Sequence, residues 1–138
     1  MEIVRRYYER LAGLLDEYWA DPVPFEEWDR LDEVLAGIDP DAEWYALTRR
    51  QPARGHRQWV QQVNDWLEAN DEWRIAVEGV EDLDDDRVLV TSMISVRGKG
   101  SGIPIEQRVF SVVTTADGAI TRIRDHLDRA AALEDTGP

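Results

Sequence analysis

Residues 86 to 127 restrict the fold more than any other stretch, because they read as a single antiparallel meander. A first strand runs from Arg87 to Val96, a glycine-rich turn from Arg97 to Gly102, a second strand from Ile103 to Thr115, and a last strand reaches Leu127. Val88, Val90, Ser92, Ile94 and Val96 alternate with Leu89, Thr91, Met93 and Ser95, so both faces of the first strand are apolar or small. That is the pattern of a sheet covered on each side. Gly98, Gly100 and Gly102 supply the permissive backbone of the first turn, and Asp117-Gly118 supplies the second.

The segments before the meander are material for covering it. Val4, Tyr8, Leu11, Leu15 and Tyr18 or Trp19 recur at spacings of three and four, predicting a helix from Glu2 to Trp19 with one apolar stripe; Tyr8 lies on that stripe and Tyr7 does not. Pro22 breaks this helix and Pro24 fits the first turn of a second. Phe25, Trp28, Leu31, Leu35 and Ile38 form the buried side of that second helix, and Gly37 and Pro40 end it. Asp41 to Leu47 predicts a brief edge strand, followed by a polar loop from Thr48 to Arg54. Gly55 and His56 open a third helix, with Trp59, Val63, Trp66 and Leu67 on one face, and Asn70-Asp71 closes it. Trp73, Ile75, Val77 and Gly79 alternate with Arg74, Ala76, Glu78 and Val80, predicting a further strand, with a turn from Glu81 to Asp86. Asp128 is placed to cap a short terminal helix, Arg129 to Glu134, which stops before Gly137 and Pro138.

Three helices, a short strand, four successive strands and a helical tail make one α+β domain over residues 1–138. A curved antiparallel sheet with three N-terminal helices on its concave face forms a cone-shaped barrel, and the space between the layers suits a hydrophobic small molecule. The formal net charge of −13 opposes phosphate backbones, so nucleic acid is excluded as a partner. Between Asp21 and Glu43 nine acids face one base, and Arg49, Arg50, Arg54 and Arg57 read as a solvated loop that offsets them. No apolar run approaches the ~18 residues of a membrane span. The N-terminus lacks the order of a signal peptide, so a cytoplasmic location is the expectation. There is no Cys, and His56 and His126 stand alone on different elements, so neither a metal nor another cofactor is expected.

The chain resembles the nuclear transport factor 2-like superfamily, specifically its SnoaL-like members. The likeness is carried by Asp41 to Trp44, Gly55 to Val60, Arg97 to Glu106, Thr115 to Gly118 and Asp128 to Leu133, in that order along almost the whole chain. The resemblance implies a cone-shaped α+β fold, often dimeric, whose members include polyketide cyclases, ketosteroid isomerases, epoxide hydrolases, dehydratases and non-catalytic binders. Fold alone leaves the activity open. Cyclases and epoxide hydrolases of this kind carry a catalytic Asp on the last long strand, and Asp125 matches that position. The Arg-x-Asp pair of the epoxide hydrolases has no counterpart in Val88 to Val96, and the acids of the ketosteroid isomerases are replaced here by Ala46-Leu47 and Val109 to Ser111.

Strand parity selects the remaining candidates, because successive side chains point to opposite faces. If Asp125 points inward with Ile123 and Leu127, then Arg122, Arg124 and His126 point outward. A carboxylate among Trp and Leu is desolvated and made more basic, as a general base requires. The alternative is a structural Asp satisfied by a neighbouring donor. The Tyr8 hydroxyl either polarises a carbonyl or simply packs; Gln107 and Ser111 are polar points in an apolar wall; Trp44, Trp59 and Trp73 either floor the pocket or belong to the core. His56 either caps its helix or stands at the pocket rim. The reading is thus a ligand-binding domain, as a cofactor-free cyclase, isomerase or lyase with Asp125 as base, or as a non-catalytic binding or dimerisation module. Phe110 and Val112, beside Met93 or Ile94, predict a homodimer through the outer sheet face.

Overall fold

The computed structural model describes residues 2–21, 31–47, 51–100 and 102–135. Helix α1 is Glu2–Ala20, α2 Leu31–Leu35, α3 Gly55–Ala69 and α4 Arg129–Leu133. The strands are β1 Ile38–Tyr45, β2 Ala53–Arg54, β3 Asn70–Asp82, β4 Arg87–Gly98, β5 Pro104–Ala116 and β6 Ala119–His126. They form one open sheet in the order β2-β1-β6-β5-β4-β3. The meander β3 to β6 is antiparallel throughout, while β1 joins β6 in parallel. The expected break at Pro22 to Pro24 and the start of the second helix, with Phe25 and Trp28, lie outside the described residues, as do Arg49 and Arg50.

Three local expectations change. Ile38 is not the last buried residue of a helix but the first of β1, where it is buried against β6 through the pairing with Ile120. Pro40, expected as a helix stop, sits inside β1, where the register to β6 shifts between Ile38 and Glu43; such an irregularity accepts a residue that has no N–H to give the ladder. β1 is also not the edge, because Ala53 and Arg54, expected in a loop, pair with Trp44 and Glu43. Gly55 then turns the chain into α3 at φ 80°, with the space a side chain would occupy already taken by the Pro40 carbonyl.

α1 and α3 pack on one face of the sheet and bury the main core. The buried stripe of α1 is Val4, Tyr7, Tyr8, Leu11, Leu14 and Leu15, wider than the sequence reading, so both tyrosines lie inward. Neighbouring residues on a helix are about 100° apart, and a stripe this broad holds both: Tyr7 toward Trp59 of α3, Tyr8 toward Ser111 of β5. Opposite them Val88, Val90, Val113, Ile120 and Ile123 are at most 2% exposed. Each such aliphatic side chain contributes about 1.5–3 kcal/mol relative to exposure.

The opposite sheet face carries a second, smaller core. Leu89, Val112 and Ala132 are buried there, with Leu83 and Phe110 packed against them. Ala132 belongs to α4, so the C-terminal segment covers part of the face that was expected to bind a second copy. Val112 is beneath this helix and Ile94 lines the inner face, which leaves Phe110 and Met93, both half-buried, of the four residues that motivated the dimer. The tail is held further by Asp135, whose carboxylate meets His126 at 3.0 Å and Arg124 at 3.5 Å. Asp128 caps α4 as expected, accepting from the Ala131 N–H at 2.7 Å. Asp128→Ala is expected to lower stability by about 1 kcal/mol, read as a lower urea midpoint at unchanged slope. An unchanged midpoint would show that packing of Ala132 and the Asp135 contacts hold the tail without the cap.

Candidate functional site

A cavity of about 150 Å³ lies between α1, α3 and the inner face of the sheet. Its wall is mainly apolar, with Leu11, Trp66, Trp73, Ile75, Ile94 and Val109 among the lining residues. In volume the space matches an apolar cavity of ~150 Å³ that takes up benzene.

One carboxylate faces this space. Asp125 is paired directly with Ser111 across β5 and β6, which places their side chains on the same face as immediate neighbours. The Ser111 hydroxyl donates to Asp125 Oδ1 at 2.6 Å. Trp44 is paired with Ile123 in the parallel ladder, and its indole reaches along β6 to donate from Nε1 to Asp125 Oδ2 at 3.0 Å. The parallel joining of β1 to β6 is therefore what brings the indole to the acid. Asp125 is half-buried as a residue and lines the cavity. Desolvation raises its pKa above the usual aspartate value, and the hydrogen bonds from Ser111 and Trp44 offset this only in part.

Two phenols stand over the acid. Trp59 Nε1 donates to the Tyr7 hydroxyl oxygen at 3.0 Å, which leaves the phenolic proton available as a donor. Tyr8 packs edge-on against Tyr7, with ring centroids 5.1 Å apart, and its hydroxyl interacts with Ser111. Burial pushes both phenols to higher pKa, and the negative charge of Asp125 adds to the effect, so both remain protonated.

The sequence candidates separate into groups. Asp125, Ser111, Tyr8 and Trp44 come together as one hydrogen-bonded group, and Trp73 lines the wall, stacked on Trp66 with centroids 5.7 Å apart. Gln107 also lines the cavity, but it is exposed at the mouth and its amide donates to the Arg108 carbonyl. Trp59 does not line the cavity: it is 1% exposed behind Trp44, with ring centroids 5.5 Å apart, and supports the wall from the core. His56 is likewise no rim residue, since its Nε2 lies 2.8 Å from the Ile38 carbonyl and ties the start of α3 to β1. Arg122 and Arg124 lie outside, over the Tyr45 ring at 5.0 and 4.5 Å, and His126 is on that side with Asp135. Tyr7, Trp66 and Ser92 line the cavity without having been selected. Ser92 had a signal, being the one polar residue in the inward register of Val88 to Val96. Among the described residues no three His, Asp or Glu side chains converge as metal ligands would, and no helix is long and apolar enough to cross a membrane.

The family model of the SnoaL-like domain matches residues 4–123. Asp125 lies two residues beyond that match, so its role is argued from geometry. No curated protein matches the sequence. Among solved structures, the chain is similar to a nuclear transport factor 2-like protein of unknown function from Burkholderia pseudomallei, at 19% identity and TM-score 0.73, over 96% of this chain and 93% of the other. It is similar to a protein from Jannaschia sp. CCS1 described as a SnoaL-like polyketide cyclase, at 20% identity and TM-score 0.65, over 97% and 94%. A third, TerC co-crystallised with polyporic acid, has 22% identity and TM-score 0.69 over 96% and 94%. At these identities the likeness establishes the fold.

Proposed function

Because the chain belongs to the family of SnoaL-like domains, we propose that it binds a compact, mainly apolar carbonyl compound and removes a proton from the carbon beside the carbonyl, with Asp125 as general base. The observation that carries this reading is a desolvated carboxylate facing an apolar cavity, held by Ser111 and Trp44 and overhung by two protonated phenols. Each carboxylate oxygen accepts one hydrogen bond within the protein and retains a lone pair for the substrate proton. As the C–H bond breaks, its electron pair moves onto the carbonyl oxygen, and the Tyr7 hydroxyl supplies a donor for the developing enolate. Reprotonation at another carbon gives an isomerase, attack on a second carbonyl a cyclase, and expulsion of a substituent a lyase. Asp125 returns the proton in each case, and no cofactor is part of the proposal.

The names of two structural relatives point the same way: the Jannaschia protein and one from Sinorhizobium meliloti are described as polyketide cyclases. One observation favours a non-catalytic binding module instead, namely that both oxygens of Asp125 already have protein donors, as a structural aspartate would. Solvent-deuterium exchange at C1 of 2-tetralone, a bicyclic ketone with an acidic C–H, separates the two. The catalytic reading predicts protein-dependent exchange whose rate rises with pH through an apparent pKa above the ~3.9 of free Asp, because the base acts in its ionised form. Saturable binding without exchange would support the binding module.

A further inference from the structure

Ser92 occupies the middle of β4 on the cavity face. It is 2% exposed, and its hydroxyl oxygen has no hydrogen-bond partner among the described residues. A buried hydroxyl left unpaired is a cost to folding that Ala or Val at this inward position would avoid. Its hydrogen-bonding capacity is left for something inside the cavity.

Its position relative to Asp125 follows from the registers. Asp125 is opposite Ser111, Ser111 is opposite Val90, and Ser92 is one inward step along from Val90. Ser92 is thus two strands across and one two-residue step along from the carboxylate. With strands ~4.8 Å apart and steps of ~6.8 Å, the two Cβ positions are about 12 Å apart. Strand side chains stand roughly perpendicular to the sheet, so the polar atoms keep about this spacing, and a hydrogen bond of ~2.8 Å at each end leaves about 6 Å between the ligand atoms that meet them. That span suits functions on opposite sides of a small ring system, which agrees with the cavity volume.

We propose that Ser92 is the second polar anchor of the cavity. It exchanges a hydrogen bond with a hydroxyl or carbonyl on the far side of the ring whose acidic C–H meets Asp125. The ligand class is therefore a compact ring compound with two oxygen functions at opposite ends. This rests on the small-ketone reading above for the ligand's identity, but it is a statement about binding.

The test compares 2-tetralone with 6-hydroxy-2-tetralone, which adds one distal hydroxyl, using the fluorescence of the cavity tryptophans to measure each dissociation constant in the wild type and in Ser92→Ala. The hydroxyl is expected to tighten binding to the wild type about fivefold, the worth of one ordinary hydrogen bond. Ser92→Ala should abolish that gain, bind 2-tetralone within about twofold of the wild type, and melt at the same temperature or higher. The same gain in both proteins would overturn the proposal, as would the absence of any gain, or of saturable binding by 6-hydroxy-2-tetralone, in the wild type; a Ser92 that only holds a buried water gives the first of these. Since the ratio is read by binding alone, a protein that binds both ketones but exchanges neither would refute the general base and leave the Ser92 anchor decided on its own measurement.

Discussion

Asp125→Asn is expected to lower the rate of protein-dependent exchange at C1 of 2-tetralone by at least about a hundredfold, within the 10²–10⁴ contributed by a positioned base. Ligand affinity should change little, because the amide keeps the shape of the group. The Asn oxygen still accepts from Trp44 Nε1, and its amide nitrogen donates to Ser111 Oγ, so the wall of the cavity is retained. Stability should move in the opposite direction from activity. An aspartate whose folded pKa is raised holds its proton more tightly in the native state, so the native state loses stability as pH rises from the unfolded value through the folded one. Above that window the wild type carries the whole penalty and the Asn variant none. The variant is therefore expected to unfold at a higher urea concentration than the wild type at pH 7, with the difference vanishing in acid below the unfolded pKa. A variant that is less stable at pH 7 would mean that the ionised carboxylate is a net structural asset.

Trp59→Ala should give the largest loss of stability, about 3–5 kcal/mol, from a total that for domains of this kind is about 5–15 kcal/mol. Its indole is 1% exposed, packs against Trp44, and donates to the Tyr7 hydroxyl at 3.0 Å, so truncation leaves a void between α3, β1 and α1. Trp59→Phe keeps much of the ring and removes the hydrogen bond, for an expected cost of about 1–2 kcal/mol. Because Trp59 stands behind the cavity wall, Trp59→Phe should leave 2-tetralone affinity within a few-fold of the wild type. Urea titration gives the stabilities and fluorescence titration the affinities. A large affinity loss in a Trp59→Phe protein of near-normal stability would place Trp59 in contact with the ligand after all.

The strands of the meander were legible because their alternation is strict and their turns carry their own chemistry. Asp117 and Gly118 both adopt positive φ, 52° and 78°, as a two-residue hairpin turn requires. The same parity put Asp125 and Ser111 on the inner face and the arginines of β6 on the outer one. What parity does not contain is the neighbour of a strand far away in sequence. The parallel pairing of β1 with β6 explains both the misplaced Ile38 and the bond from Trp44 to Asp125. Helical spacing likewise gave the direction of the α1 stripe but not its width, which depends on having both α3 and the sheet to pack against; Tyr7 was lost for that reason. Trp59 and Trp44 share composition and burial, and only the third dimension separates the one behind the wall from the one bonded to the acid. The outer apolar face was visible in sequence, whereas its partial cover by α4, through Ala132, was not.

Whether the Asp125 carboxylate is a desolvated base facing the ligand is decided by carbon-13 NMR titration of that carboxyl group. A desolvated base titrates with a midpoint clearly above the ~3.9 of a free aspartate, displaced when 2-tetralone is added. A midpoint at or below that value, unmoved by the ketone, would contradict that role and leave Asp125 as a structural residue holding Trp44 and Ser111 in place.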